Sequence, residues 1–402
     1  MKKRALILIL TVILVVVSLP FSVFAFGERV NEKELALAEY ETQAVTVSST
    51  QVGEISARGA VLINADTGDI LYDKNADERL PMASTTKIMT ALVAVESMPL
   101  DSLITVTRES VGVEGSSIYL CEGERLTLED LLYALLLESA NDAANAIAIG
   151  VSRSVEAFAE LMNERASSLG LKDTHFENPH GLDGQTHYTT ARELARITQA
   201  ALANEALATI VGTVRKTIAF DLDGQKNERL LINHNRLLRL YEGTVGVKTG
   251  FTKKSGRCLV SCALRDGVRL IAVTLNAPDD WDDHARMLDF GFEVYEKVTL
   301  CEPLDFSVML PLINGIEEHI TVCNPNGAYA VLPRVREDIT YTVELSRFEF
   351  APIEKGEVLG RLVFRCGDSV VGECQLVAAY GVSASVEGEK GSLANWLRRL
   401  FN

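Results

Sequence analysis

The sequence predicts an α+β fold in which an antiparallel sheet is covered by helices and followed by a small, separate all-β domain. Three observations carry this. Strand-like runs at Ala60–Tyr72 and Cys258–Leu275 enclose a long stretch of helical periodicity. The strand, helix, strand order contains no repeating βαβ unit, which favours antiparallel pairing. From about Leu300 to Tyr380 the chain is Val-rich and alternating, with frequent Gly, Pro and Asn turns. At 402 residues, 47% apolar and 23% charged, the chain has the balance of a folded protein of two or three domains.

The elements follow in order. Met1-Lys2-Lys3-Arg4 precedes an apolar run, Ala5–Ala25, that ends in small residues, the pattern of a cleaved signal peptide over residues 1–25. An uncleaved anchor is the competing reading, since about 20 apolar residues span a bilayer. Both readings place the body of the protein outside the cytoplasm. Residues 26–52 are polar and acidic and read as a linker. Asp66-Thr67-Gly68-Asp69 between two apolar runs reads as a β-hairpin. Helical stretches follow at Thr85–Glu96, Leu128–Ile149 and Val155–Ser168, then strands at Cys258–Leu264 and Val268–Leu275, and a closing helix at Asp283–Tyr295.

These readings give a first domain over residues 53–297 and a β-rich domain over 298–380. Residues 381–391 are rich in Gly, Ser and Glu and read as a linker. In residues 392–402, Leu393, Trp396, Leu397, Leu400 and Phe401 share one helical face opposite Arg398 and Arg399. That is an amphipathic helix suited to a membrane surface, or else to docking on its own domain.

A net charge of −16 argues against nucleic acid as a partner. Seven widely spread cysteines include no C-x-x-C pair, so no zinc or redox motif is indicated; Cys366 and Cys374 allow a disulfide across a hairpin. His175, His180 and His187 cluster without H-E-x-x-H or zincin spacing, and they read as loop hydrogen-bonding residues; no metal and no cofactor is called for.

Three motifs carry chemistry. Ser84-Thr85-Thr86-Lys87 places a hydroxyl and an amine one turn apart at the start of a helical run, where a desolvated Lys activates a Ser and free N–H groups favour developing negative charge. Ser139-Ala140-Asn141 interrupts an apolar helical stretch and reads as a break facing a cleft, with a hydroxyl to relay a proton and an amide to hold a carbonyl; a helix-helix turn is the other reading. Lys248-Thr249-Gly250 combines fixed charge, a hydroxyl and a backbone open to close approach.

In the order S-x-x-K, S-x-N, K-T-G, the chain resembles the penicillin-recognising serine acyl-transferases, and within them the low-molecular-mass D-alanyl-D-alanine carboxypeptidases. Gly115–Leu120, Asn178–Asp183, His187–Ala191 and Asn233-His234-Asn235 extend the resemblance over about Gly53–Tyr295. It implies a penicillin-binding/β-lactamase-like domain with a helical subdomain, then a small C-terminal β-sandwich and a membrane-binding tail. It also implies Ser84 as nucleophile, Lys87 as general base and Ser139 as proton relay. Asn141, Lys248, Thr249 and Gly250 would bind substrate, with Thr249 near its terminal carboxylate, and the backbone N–H groups of Ser84 and Phe251 would form the oxyanion hole. Ser255 stands where the family usually has Ala.

The implied partners are peptidoglycan stem peptides ending in D-Ala-D-Ala, β-lactam antibiotics as inhibitors, and the membrane surface through the C-terminal helix. A class A-like β-lactamase would need a deacylating carboxylate in E-x-x-L-N; Glu228-Arg229-Leu230-Leu231-Ile232 lacks the Asn. An esterase on the same fold would share the catalytic residues and differ only in its substrate pocket. A non-catalytic wall-binding module would be expected to lose Ser84 or Lys87, and both are present.

Overall fold

Strands β1 (Gly59–Asn64) and β2 (Ile70–Lys74) form the expected hairpin in this computed structural model, which describes residues 52–385. The Asp66 N–H donates to Asn64 Oδ1 at 3.0 Å, and Gly68 turns the chain with φ +82°, a left-handed conformation open to glycine. β1 is buried along its length. Val61 and Ile63 enter one core and Ala60 and Leu62 another, the two-residue alternation of a strand covered on both faces.

After a 3₁₀ turn at Ala83–Thr86, helix α1 (Lys87–Ser97) runs through the helical layer with its first eight residues all buried. Strands β3 (Leu103–Thr105) and β4 (Arg125–Thr127) lead to α2 (Leu128–Leu137), α3 (Asn141–Ser152) and α4 (Val155–Ser168). The stretch read as helical over Leu128–Ile149 is thus two helices, broken where Ser139 takes φ +60°. α4 has the limits its periodicity predicts, set by the Ser154 hydroxyl accepting from the Ala157 N–H at 3.0 Å. Helices α5 (Ala191–Leu202) and α6 (Glu205–Gly212) start on the caps Thr190 and Asn204.

The hairpin of β5 (Arg215–Leu222) and β6 (Gln225–Ile232) joins β3 and β4 in a four-stranded sheet, and α7 (Leu237–Leu240) returns the chain to the main sheet. There β7 (Thr244–Thr252), β8 (Gly256–Arg265) and β9 (Val268–Leu275) complete the antiparallel order β2-β1-β9-β8-β7. Helix α8 (Asp280–Val294) begins three residues before the expected Asp283 and covers the outer face, packing Met287, Leu288 and Phe290 onto Ala60, Leu62, Leu270 and Ala272. Because β7 is the sheet edge, its free side faces the turn that carries Ser84.

The β-rich region runs from β10 (Tyr295–Cys301) through β11 (Ser307–Ile313), β12 (His319–Cys323), β13 (Ala328–Pro333), β14 (Ile339–Leu345), β15 (Glu349–Phe350), β16 (Val358–Cys366) and β17 (Ser369–Ala378). β10 and β13 form a two-stranded sheet; the rest form a six-stranded sheet in the order β14-β16-β17-β12-β11-β15. Leu310, Ile320, Val322, Leu362, Phe364 and Leu376 fill the core.

Two expectations are corrected here. No disulfide links Cys366 and Cys374, because the β16–β17 register sets Cys374 opposite Leu362 and Cys366 opposite Ser369. Residues 381–385, read as the head of a linker, belong to the β domain: Val382 is buried against Ile353 and the Ser385 N–H donates to Asn314 O at 2.7 Å. The signal peptide at 1–25, the linker at 26–52 apart from Val52, and the amphipathic segment at 392–402 lie outside the described residues. Among the described residues no helix is long and apolar enough to cross a membrane.

Candidate active site

Ser84 and Lys87 meet because the chain between them is a 3₁₀ turn, not the first turn of an α-helix. In 3₁₀ geometry side chains at i and i+3 eclipse, and Lys87 Nζ lies 3.0 Å from Ser84 Oγ. Lys87 is fully buried, and its Nζ also contacts Asn141 Oδ1 at 2.7 Å and the carbonyl oxygen of His180. Burial, reinforced by the nearby charge of Lys248 and partly opposed by Asp142, holds the Lys87 ammonium well below the usual lysine range. A neutral amine has two N–H donors and one lone pair. With both N–H groups donated to Asn141 Oδ1 and His180 O, the neutral form would keep its lone pair for the Ser84 hydroxyl, the geometry that general-base chemistry requires.

Asn141 opens α3 at the break after Ser139. Its amide nitrogen donates to Glu114 O, and its backbone N–H donates to Ser116 O at 2.8 Å, so one residue ties the cleft loop to Lys87. The next residue, Asp142, accepts from the Ser117 hydroxyl at 2.6 Å and from the N–H groups of Leu120 at 2.9 Å and Ala143 at 2.9 Å. Ser139 lines the cleft but is not a hydrogen-bond partner of Lys87 Nζ.

Strand β7 brings Lys248, Thr249, Gly250 and Phe251 to the opposite side. A Cβ at Gly250 would sit 3.0 Å from Ser84 N and 3.1 Å from Ala83 Cβ, so glycine lets this strand press on the Ser84 turn. The sequence suggests a close approach to substrate here, and the structure adds one to the chain's own backbone. Lys248 is buried with Nζ donating to Thr249 O at 2.9 Å, and burial brings its pKa down to about 7. Ser255 accepts from the Thr252 N–H at 3.0 Å and closes the β7–β8 turn, so the departure from Ala is accommodated locally.

The loop at 178–183 completes the floor. Asn178 Oδ1 accepts from the N–H groups of His180 and Gly181 at 3.2 and 2.7 Å, which aims the His180 carbonyl at Lys87. Gly181 has φ +89°, and a Cβ there would lie 2.0 Å from Ala83 O. His187 Nδ1 accepts from the Glu177 N–H at 3.0 Å, so its Nε2 carries the proton toward Thr86 Oγ1 at 2.8 Å; burial lowers its pKa to about 4. His180 Nδ1 accepts from the Leu182 N–H at 3.2 Å, and His175 Nδ1 lies 2.9 Å from Thr186 O. The histidines thus shape the loop.

The resulting open cleft, of about 640 Å³, is lined by Ser84, Ser139, Thr249, Gly250 and Phe251 together with Ser116, His234, Arg236, Arg257 and the Pro278–Asp282 loop. Of the eight residues singled out in the sequence, Ser84, Ser139, Thr249, Gly250 and Phe251 line it, whereas Lys87, Asn141 and Lys248 are buried and do not. The His180 carbonyl, Gly181 and Asp142 carry no individual signal: the first is backbone, and the others act through contacts distant in sequence.

The sequence pattern of the family described as D-alanyl-D-alanine carboxypeptidase matches residues 43–279. The D-alanyl-D-alanine carboxypeptidase DacF of Bacillus subtilis is 33% identical over 353 residues, covering 85% of this chain and 88% of the relative. Among solved structures, the D-alanyl-D-alanine carboxypeptidase DacD of Francisella tularensis aligns with TM-score 0.60 and 27% identity over 88% of this chain and 99% of the other. Penicillin binding protein 5 of Haemophilus influenzae aligns with TM-score 0.65 and 26% identity over 82% and 98%. Sequence pattern, relatives and fold agree, and the chain belongs to the D-alanyl-D-alanine carboxypeptidase family.

Proposed function

We propose that this protein is an exported serine carboxypeptidase that removes the terminal D-alanine from peptidoglycan stem peptides through an acyl-enzyme on Ser84. The observation that carries the reading is the 3.0 Å approach of a wholly buried, charge-disfavoured Lys87 amine to Ser84 Oγ. The relatives named D-alanyl-D-alanine carboxypeptidases support the substrate.

In acylation Lys87 takes the Ser84 proton as Oγ attacks the carbonyl carbon of the penultimate D-Ala. The C–N bond to the last D-Ala breaks, and the proton reaches the departing nitrogen through the Ser139 hydroxyl. Water then attacks the ester, the C–Oγ bond breaks, and Ser84 regains its proton. The N–H groups of Ser84 and Phe251 stabilise the oxyanion in both steps; the close packing of Gly250 on Ser84 N supports their neighbourhood. Asn141 and Lys248 hold the substrate, with Thr249 at its carboxylate.

A β-lactam acylates Ser84 in the same way, but its leaving nitrogen stays tethered. Loss of the terminal D-Ala removes donors for cross-linking, so the activity limits wall cross-linking. Export rests on residues 1–25, and the amphipathic pattern of 392–402 supports peripheral attachment at the outer face of the cytoplasmic membrane.

The test is D-Ala release from a peptide ending in D-Ala-D-Ala by the purified ectodomain beside Ser84→Ala. Release that is lost in the variant supports the reading. Rapid benzylpenicillin turnover would assign a β-lactamase instead, and no release from the peptide would remove the carboxypeptidase reading.

A further inference from the structure

Cys374 finds no sulfur across the β16–β17 hairpin, but it has another cysteine beside it. Its thiol donates to Asn326 O at 3.1 Å, and Asn324 Nδ2, 3.0 Å from that same oxygen, donates to Cys301 Sγ at 3.7 Å. One short loop after β12 thus touches both thiols. The strands meet at the same place: a Cβ at Gly372, two residues before Cys374 on the same face of β17, would lie 2.5 Å from Leu300 Cδ1, and Leu300 precedes Cys301 in β10.

Both cysteines are buried members of the β-domain core and stand as free thiols. Burial raises the pKa of Cys374, and the Cys301 thiol raises it further by its charge and by a hydrogen bond between the two side chains. Around them lie a carbonyl and an amide, not the third and fourth ligands that a zinc site takes, and among the described residues no three His, Cys, Asp or Glu side chains gather into a metal site. Two adjacent sulfurs in such a setting suit a bond to each other.

We propose that Cys301 and Cys374 form a disulfide in the exported protein, clamping the β domain from its first strand to its last. The proposal takes from the reading above only that the chain is exported, to a compartment where such bonds persist. The two positions are 374 − 301 = 73 apart, so the bridge closes a long loop and restricts the unfolded chain. The oxidant is a small disulfide. One cysteine thiolate attacks a sulfur of glutathione disulfide and releases one glutathione thiolate; the second cysteine thiolate then displaces the other glutathione. Two electrons pass to the glutathione disulfide, and the two protons lost by the cysteines end on the two glutathione thiols or in solvent. Burial keeps the folded thiols protonated, so the exchange belongs to folding, before the core closes.

The experiment refolds the whole chain from a reduced, denatured state with glutathione disulfide or with dithiothreitol. Remaining thiols are alkylated under denaturing conditions, and the digest is mapped by mass spectrometry. The glutathione sample should yield a Cys301–Cys374 linked peptide, absent from the dithiothreitol sample and from Cys374→Ala. Its thermal unfolding midpoint should lie about 10 °C above that of the dithiothreitol sample, the scale set by a loop of this length, with no such gap in Cys374→Ala. Alkylation of both Cys301 and Cys374 in the glutathione sample overturns the assignment, as does a bridge from either of them to Cys323, the third buried cysteine of the β domain. Equal midpoints with the bridge formed overturn the clamp. D-Ala release from the same samples reports on the carboxypeptidase reading separately.

Discussion

Lys87 Nζ and Asn141 Oδ1 lie 2.7 Å apart, so two motifs 54 residues apart in sequence share one buried hydrogen bond. The contact fixes the amine between the Ser84 turn and the start of α3, and it occupies an N–H that would otherwise compete for Ser84. The Lys87 amine and the start of α3 are therefore tied to each other inside the helical layer.

Replacement of Lys87 should therefore abolish the chemistry while leaving the fold. Lys87→Ala is expected to slow acylation by benzylpenicillin by about 10³-fold, within the range of a lost general base. Lys87→Arg should not rescue it, because a guanidinium stays protonated. Stopped-flow or quenched mass kinetics measure the rates, and near-normal acylation in either variant contradicts the assignment.

Gly250 is predicted to be intolerant for a geometric reason. In Gly250→Ala the new methyl meets Ser84 N at 3.0 Å and Ala83 Cβ at 3.1 Å, so strand and turn separate and the reacting groups shift. Misplacement on the ångström scale costs about a hundredfold in rate. Acylation should fall by that order with little change in unfolding midpoint, and an unchanged rate would show that the turn yields without cost.

Asp142 should matter to stability and substrate affinity more than to the chemical step. Its carboxylate holds Ser117, Leu120 and Ala143. Asp142→Ala leaves these donors unpaired and is expected to cost about 2–3 kcal/mol, read as a lower urea midpoint, together with a raised KM as the 116–120 loop loosens. A KM and a midpoint both at wild-type values would contradict this role.

Buried neutral histidines make the fold acid-sensitive. His284 lies 3.0 Å from Thr274 Oγ1 and also contacts Ser261 Oγ; burial lowers its pKa to about 3, and that of His187 to about 4, from 6.5. Below pH 6.5 the unfolded chain binds protons that the folded chain refuses, so stability is full above 6.5 and falls as pH drops toward 4. Urea unfolding between pH 7.5 and 5 should show this decline, with a shallower slope in His284→Asn. A flat profile over that range would show the sites are not held neutral.

Much of this was legible in the sequence where the signal is local. The limits of α4 and β9 follow from period and flanking residues, and the break at Ser139 follows from polar residues inside an apolar run. The four-stranded sheet of β3 to β6 was not legible, because β3 and β4 have only three residues each and β6 is mostly exposed, so neither carries a clear apolar alternation. At the site, residue types announced Ser84, Lys87, Ser139, Asn141 and Lys248-Thr249-Gly250. The His180 carbonyl was silent because every residue has one; what aims it is Asn178 together with the left-handed Gly181, which packs on the Ala83–Thr86 turn only in three dimensions.

The most direct test of the account is the position of the covalent adduct. Benzylpenicillin-treated protein, digested and mapped by tandem mass spectrometry, should carry its penicilloyl group on Ser84, with none formed in Ser84→Ala. An adduct on Ser139 or Ser116, the other serines of the cleft, would contradict the assignment of the nucleophile and, with it, the role given to Lys87.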